Sequence, residues 1–257
     1  MITFRKELLK LKPFEKEYVL NKINESNNKI KKNKIGDYEI KSVDGLKGLV
    51  QGYLYTKEDS VDLEILELHG PEHIWMRLTP LEIQASYFAI KMAKGKVGVV
   101  GLGLGYVVEE MAKKSDVKEI IVYEISKEVI DLYYSNFDKN EKVTIVCGDA
   151  FEAKPENFDF FYADIYEYKI TSQIVSDYKK FNELHNIEEY SFFGMEHFLL
   201  SCSYNEIVWV YIPENWMESS RRAFEAIQES NLLEYYEKLD ENLVSQVLAE
   251  FKEVLNV

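Results

Sequence analysis

KVGVVGLGLGYV, residues 96–107, is an apolar run that breaks on alternating glycines and resumes as helix-forming sequence. Val97, Val99 and Val100 suit a buried strand, and Gly101, Gly103 and Gly105 suit the turn that follows it. Glycine tolerates positive φ and carries no Cβ, so such a turn can be tight and can bring bare backbone N–H groups to a ligand at the start of the next helix. A dinucleotide fingerprint requires glycine at the first, third and sixth positions of the turn. The sixth position here is Tyr106, so NAD fits this turn less well.

The neighbouring apolar run, 119–123, ends in Glu124, 23 positions after Gly101. A carboxylate at that distance, at the C-terminal end of the adjacent strand, is placed to accept both hydroxyls of a ribose. A third run, 143–147, ends in Gly148-Asp149-Ala150, and a fourth, 158–163, ends in Asp164. Three successive strands therefore finish in an acid, at the edge where open α/β sheets bind ligands. Helical patterns over 106–114, 127–137 and 171–185 alternate with these runs. Such alternation predicts an α/β fold with a doubly wound, mostly parallel sheet covered on both faces.

Between residues 96 and 164 this order of signals resembles the class I S-adenosylmethionine-dependent methyltransferases, whose sheet is Rossmann-like. The resemblance implies that Gly101, Leu102, Gly103 and Gly105 pass beside the methionine part of S-adenosylmethionine. It gives Glu124 to the ribose, Ile125 to the adenine ring, and Asp149 with the backbone of Ala150 to the adenine edge. Asp164 falls at the mouth where cofactor meets acceptor. The acid often found two places before the first glycine is replaced here by Val99, a departure shared with the spermidine-synthase-like branch. That branch, however, carries Asp where this chain has Leu104, and Asp-x-Ser/Thr-Asp where this chain has Asp164-Ile165-Tyr166-Glu167. Aminopropyl transfer is therefore disfavoured. The NPPY/DPPY and Pro-Cys motifs of nucleic-acid methylation are absent as well.

Methyl transfer from a sulfonium needs an acceptor lone pair held in line with water excluded, and positioning supplies much of the rate. Asp164, Tyr166 and Glu167 are the candidate catalytic residues, to hold the acceptor or take its proton. The plainer role for Tyr166 and Glu167 is to cap the following helix. Trp75 and Arg77 either roof the pocket or serve as a packing indole and a surface cation. His69 and His73 are separated by Gly70-Pro71 and have no nearby Cys, so no metal is expected. Aromatic residues crowd 158–168, where they could hold a cation or a flat acceptor, although half must point into the sheet core.

A net charge of −14 disfavours a nucleic-acid partner. Residues 1–35 run against the whole, with ten Lys/Arg and four Glu. That basic segment is either a solvated helix face or a contact to an acidic body or an anionic partner. Cys147 and Cys202 read as buried thiols in a reduced compartment. The opening residues lack the pattern of a signal peptide, and no window approaches the apolar length of a membrane span. A cytoplasmic protein without membrane contact is expected.

Two parts are expected: 1–78, an N-terminal helix and β-meander appendage, and 79–257, a Rossmann-like cofactor domain with C-terminal helices. Pro13, Phe14, Tyr18, Val19 and Ile23 mark the first helix, and a three-stranded meander is predicted over 38–43, 49–55 and 61–68. Thr79-Pro80-Leu81-Glu82 reads as a capping box opening a helix to residue 94. Beyond residue 188, helix is predicted over 192–200, a fifth strand over 206–212, and helices over 216–229 and 232–255. No closing antiparallel hairpin is evident, so either 232–236 is a strand or the sheet is short and capped by helix. The stripe Leu232, Tyr236, Leu239, Leu243, Val247 and Phe251 packs on the protein's own sheet or forms a homodimer. The expected activity is transfer of a methyl group from S-adenosylmethionine to a small molecule or protein side chain. An aminopropyltransferase and a non-catalytic scaffold of the same fold are the alternatives.

Overall fold

The computed structural model describes residues 13–45, 49–59 and 62–255. A helix, Lys16–Lys29, precedes β1 (Asn33–Ile35) and β2 (Tyr38–Val43); then come a hairpin of β3 (Leu49–Gln51) and β4 (Thr56–Glu58), and β5 (Ile65–His69) and β6 (Ile74–Arg77). β1, β2, β5 and β6 form an antiparallel sheet in that order, with β3 and β4 paired separately. The predicted meander is corrected here: residues 49–55 lie outside the four-stranded sheet. The chain turns back at Gly52, whose N–H donates to Tyr55 O at 2.9 Å, and the fully buried Leu54 sits at φ 76.

The helix Pro80–Met92 leads into the central sheet. β7 (Gly95–Val100), β8 (Val117–Glu124) and β9 (Val143–Cys147) are followed by the two-residue β10 (Asn157–Phe158), by β11 (Phe160–Ala163), the two-residue β12 (Asn186–Ile187) and β13 (Tyr190–Phe192). Five strands run parallel in the order β13-β11-β7-β8-β9. Side chains alternate across the sheet. Val97, Val99, Ile120, Val122, Phe160 and Tyr162 enter one core, with helices Pro80–Met92, Tyr106–Ala112 and Lys127–Tyr134. Val100, Ile121, Tyr123, Phe161 and Ala163 enter the other, with Gln173–Leu184, Met195–Ser201 and Glu241–Leu255. Coverage of both faces explains why the strands read as continuous apolar runs.

The predicted fifth strand at 206–212 is a helix, Tyr204–Val210. Ser203 and Glu206 form a capping box there, and Ile207 and Val210, three apart, turn toward the core while Trp209 stays exposed. A short apolar run fits either period, and the cap decided it. The fifth strand is instead β13, at the start of the segment predicted as helix 192–200; the helix begins at Met195. The long helix predicted over 232–255 is split: a 3-10 turn at Leu233–Tyr235 precedes Glu241–Leu255. No strand forms over 232–236; only an isolated bridge joins Tyr55 and Tyr236. Among the described residues the sheet is the short, helix-capped alternative. Trp216 lies against its β13 edge and donates its indole N–H to Tyr190 O at 2.7 Å.

Val244, Val247, Leu248 and Phe251 pack into the sheet's own core. The basic N-terminal helix meets an acidic body: Lys22 pairs with Glu110 at 2.8 Å and Lys16 with Asp59 at 2.6 Å. Cys202 is buried, whereas Cys147 is exposed because β9 is an edge strand with one face outward. No helix among the described residues is long and apolar enough to cross a membrane.

Candidate functional site

A cleft of about 540 Å³ opens at the carboxyl ends of β7, β8, β9 and β11, with strand β6 of the N-terminal sheet along one side. The glycine turn forms part of its floor. Gly101 has φ 94, and a Cβ there would lie 2.4 Å from the carbonyl oxygen of Asp164. Gly103 has φ 52, and its Cβ would lie 2.6 Å from Met76 Sδ. Both positions need glycine for backbone conformation and for close approach by another part of the chain. The crowding atoms belong to the protein itself.

The turn also spends its N–H groups internally, contrary to the expectation that they stand bare. Gly101 donates to Tyr123 O at 2.9 Å, Leu102 to Glu124 Oε2 at 3.0 Å, Leu104 to Met76 Sδ at 3.1 Å and Gly105 to Leu102 O at 2.8 Å. Glu124 thus braces the turn from the end of β8, and its Oε1 accepts the Ser126 N–H at 2.8 Å. Burial raises its pKa, against the backbone hydrogen bonds that lower it. Ile125 stands 72% exposed on the rim. Asp149 caps a 3-10 turn by accepting the Phe151 N–H at 2.9 Å, with Ala150 buried behind it. Gly101, Leu102, Gly103, Glu124, Ile125, Asp149, Ala150 and Asp164 all line the cleft. Gly105 lies one step behind, where a Cβ would meet the Tyr133 ring.

Asp164 follows β11, its N–H donating to Val100 O at 2.9 Å. Burial pushes its carboxyl up to about 7. Tyr166 also lines the cleft, but its hydroxyl is held by Asp177 Oδ2 at 3.3 Å, and burial keeps it protonated. Glu167 lines the cleft from an exposed position. Trp75 is 54% exposed in the opposite wall, its ring 4.0 Å from that of His73. Arg77 is drawn away to Glu67 Oε1 at 2.9 Å, and the same carboxylate meets His69 at 2.7 Å. Among the rings of 158–168, Phe158, Phe160, Phe161 and Tyr162 are buried in the sheet, and Tyr166 reaches the cleft.

The capping-box pattern makes Glu82 the expected reciprocal partner of Thr79. Thr79 makes no side-chain cap hydrogen bond, and Glu82 lies buried in the cleft wall instead, accepting Ser86 Oγ at 3.3 Å. Burial first and the charge of Asp164 second hold the Glu82 pKa well above the usual carboxylate range. The only legible signal was the spacing of Glu82 and Ser86, one helical turn apart on a helix with little exposed face. Glu82, Glu124, Asp149, Asp164 and Glu167 bring five carboxylates to the cleft, and among the described residues its lining contains no Lys or Arg.

No protein-family model matches the chain. The protein named probable ribosomal RNA small subunit methyltransferase A of Methanosarcina barkeri is 32% identical over 75 residues, 29% of this chain and 25% of that protein. Its namesake in Methanosarcina acetivorans is 28% identical over 75 residues, 29% of this chain and 27% of that protein. The chain therefore spans about a quarter of the length of these curated relatives. Among solved structures, spermidine synthase from Thermotoga maritima is 14% identical, with 78% of this chain and 63% of that chain covered and a TM-score of 0.40. The parallel five-stranded sheet covered by helices on both faces is a Rossmann-like α/β fold, and its glycine turn and row of strand-end acids are similar to those of class I S-adenosylmethionine-dependent methyltransferases.

Proposed function

We propose that this protein is an S-adenosylmethionine-dependent methyltransferase. The observation that carries the reading is the convergence of Glu124, Asp149 and Asp164, from three strand ends, on one cleft beside the glycine turn. The donor set suits an adenosyl group: Glu124 offers its remaining lone pairs to a ribose diol, Asp149 accepts from an amino group, and Ile125 supplies an apolar edge. The bound sulfonium would supply an electrophilic methyl. Asp164, with a carboxyl that changes charge near neutral pH, would hold the acceptor or take its proton.

The walls of the cleft support one class of acceptor over another. Ribosomal RNA is what the names of the two Methanosarcina relatives specify. Phosphate recognition relies on Lys and Arg, and the described lining of this cleft has neither. A small molecule or a single protein side chain suits the cleft better.

A second reading rests on the same missing cations. The carboxylate of S-adenosylmethionine finds no Lys or Arg in the described lining, and four N–H groups of the turn are already used. A decarboxylated cofactor and aminopropyl transfer would avoid that cost. Calorimetric titration with S-adenosylmethionine, its decarboxylated form, S-adenosylhomocysteine and NAD separates the readings. Micromolar binding of S-adenosylmethionine and S-adenosylhomocysteine supports methyl transfer. A strong preference for the decarboxylated form supports the second reading, and binding of none leaves a scaffold.

A further inference from the structure

Met76 reaches from β6 of the N-terminal sheet onto the glycine turn of the central sheet, and two atomic contacts fix its place. Its Sδ accepts the Leu104 N–H at 3.1 Å, and a Cβ added to Gly103 would lie 2.6 Å from the same sulfur. Met76 also lines the cleft, beside Gly101, Leu102 and Gly103. A thioether is a weak acceptor for a backbone N–H, and a carboxylate is a much stronger one. Methionine is unbranched and adaptable, so the side chain can leave the turn while its strand stays paired. That strand is four residues long and stands at the edge of its sheet, against β5.

Strand order decides which part of a ligand meets this sulfur. β9, β8 and β7 are successive neighbours in the central sheet. Asp149 and Ala150 follow β9, Glu124 ends β8, and the glycine turn follows β7. An adenosyl ligand with its adenine at Asp149 and its ribose at Glu124 therefore carries whatever else the ribose bears toward the turn. Met76 holds that place.

We propose that Met76 determines which adenosyl ligands the cleft takes, because its thioether competes with the amino-acid tail of the ligand for the glycine turn. This rests on the placement of the adenosyl group in the methyltransferase reading. With the sulfur on the turn, Glu124 and Asp149 remain open to a ligand that ends in a short alkylthio group, as methylthioadenosine does. A homocysteine tail must first displace the sulfur from Gly103 and Leu104, and that cost falls on tailed ligands alone. No ion pair offsets it, since the described lining contains no Lys or Arg.

Isothermal titration calorimetry of S-adenosylhomocysteine and methylthioadenosine against wild type, Met76→Ala and Met76→Val tests this; valine suits a strand and ends short of the sulfur position. In wild type, S-adenosylhomocysteine is expected to bind no more tightly than methylthioadenosine. Either variant should tighten S-adenosylhomocysteine about tenfold, the scale of one hydrogen bond to a charged group, and leave methylthioadenosine unchanged. A role in packing alone would weaken both ligands together and leave their ratio where it was. A clear wild-type preference for the tailed ligand, or an unchanged ratio in a folded variant, overturns the proposal. The wild-type comparison decides the matter if neither variant folds. Binding of both ligands at an unchanged ratio removes Met76 and keeps the adenosyl reading, whereas binding of neither ligand to any of the three proteins sinks both.

Discussion

Tyr53 donates its hydroxyl to Glu196 Oε2 at 2.8 Å, joining the loop between β3 and β4 to the helix Met195–Ser201 across 143 positions of sequence. The same hydroxyl accepts the His197 N–H at 2.9 Å, and Ser219 donates to the other Glu196 oxygen at 2.6 Å. Tyr53→Phe leaves a buried carboxylate and a buried N–H one partner short. The expected cost is about 1–3 kcal/mol of stability. Chemical denaturation of both proteins measures it, and a loss within error of zero would mean that the network is ornamental.

The pH dependence of stability follows from Asp164. Its carboxyl titrates near 7 in the folded protein, raised by burial from an ordinary value of 3.8. A raised carboxyl contributes most below its unfolded value and loses that contribution as pH rises through about 7. Asp164→Asn, which mimics the neutral acid, should melt higher than wild type at pH 8, by about 2–4 °C for each kcal/mol recovered. The difference should fade toward pH 4. A gain that persists unchanged at pH 4 would place its origin elsewhere.

Glu124 has a double duty, bracing Leu102 and Ser126 while facing the cleft. Glu124→Ala is expected to weaken S-adenosylhomocysteine by about 1–3 kcal/mol, the range for charge-assisted hydrogen bonds. Calorimetry reads the change directly. Wild-type affinity in the variant would leave Glu124 as a brace alone.

Gly103→Val should abolish adenosyl-ligand binding, through an indirect route. The added Cβ meets Met76 Sδ at 2.6 Å, on a backbone at φ 52 that branched residues avoid. Shortening Met76 to Ala should restore part of the stability lost, because it removes the collision and leaves the backbone strain. Thermal melts of the single and double variants decide it: no recovery would mean that the strain alone matters.

Trp75 reports on occupancy. Trp216 is buried and Trp209 lies on a distant-sequence helix, so the indole on the cleft wall is the one a bound adenosyl group should affect. Emission is expected to change on addition of S-adenosylhomocysteine and to stay constant in Trp75→Phe. An equal change in that variant assigns the signal to another indole.

The sheet was legible because its signals are local. β7, β8, β9 and β11 each carry an apolar run ending in an acid or glycine, and burial on both faces makes such runs continuous. β13 was missed because three residues within an aromatic stretch have no period of their own, and only pairing with β11 makes them a strand. The Tyr204–Val210 helix was misread because its apolar content overshadowed the Ser203 and Glu206 cap. Within the cleft, the strand-end acids could be placed from spacing. Glu82 could not, since its position satisfies a capping rule that the fold declines to use. Met76 was invisible for a similar reason: nothing local foretells a thioether from an antiparallel sheet taking a turn N–H in a parallel one.

Trp216 gives the C-terminal segment a purpose beyond filling a core. A sheet edge presents backbone groups ready to pair with any extended chain. Here a helix-borne indole occupies the Tyr190 carbonyl at the β13 edge, so one side chain stands where the sheet could otherwise grow. Proteolysis or premature termination ahead of Glu214 would withdraw that stopper together with the helices behind it. The remaining fragment would keep its glycine turn and its acids, yet it would carry an open border able to recruit its own kind.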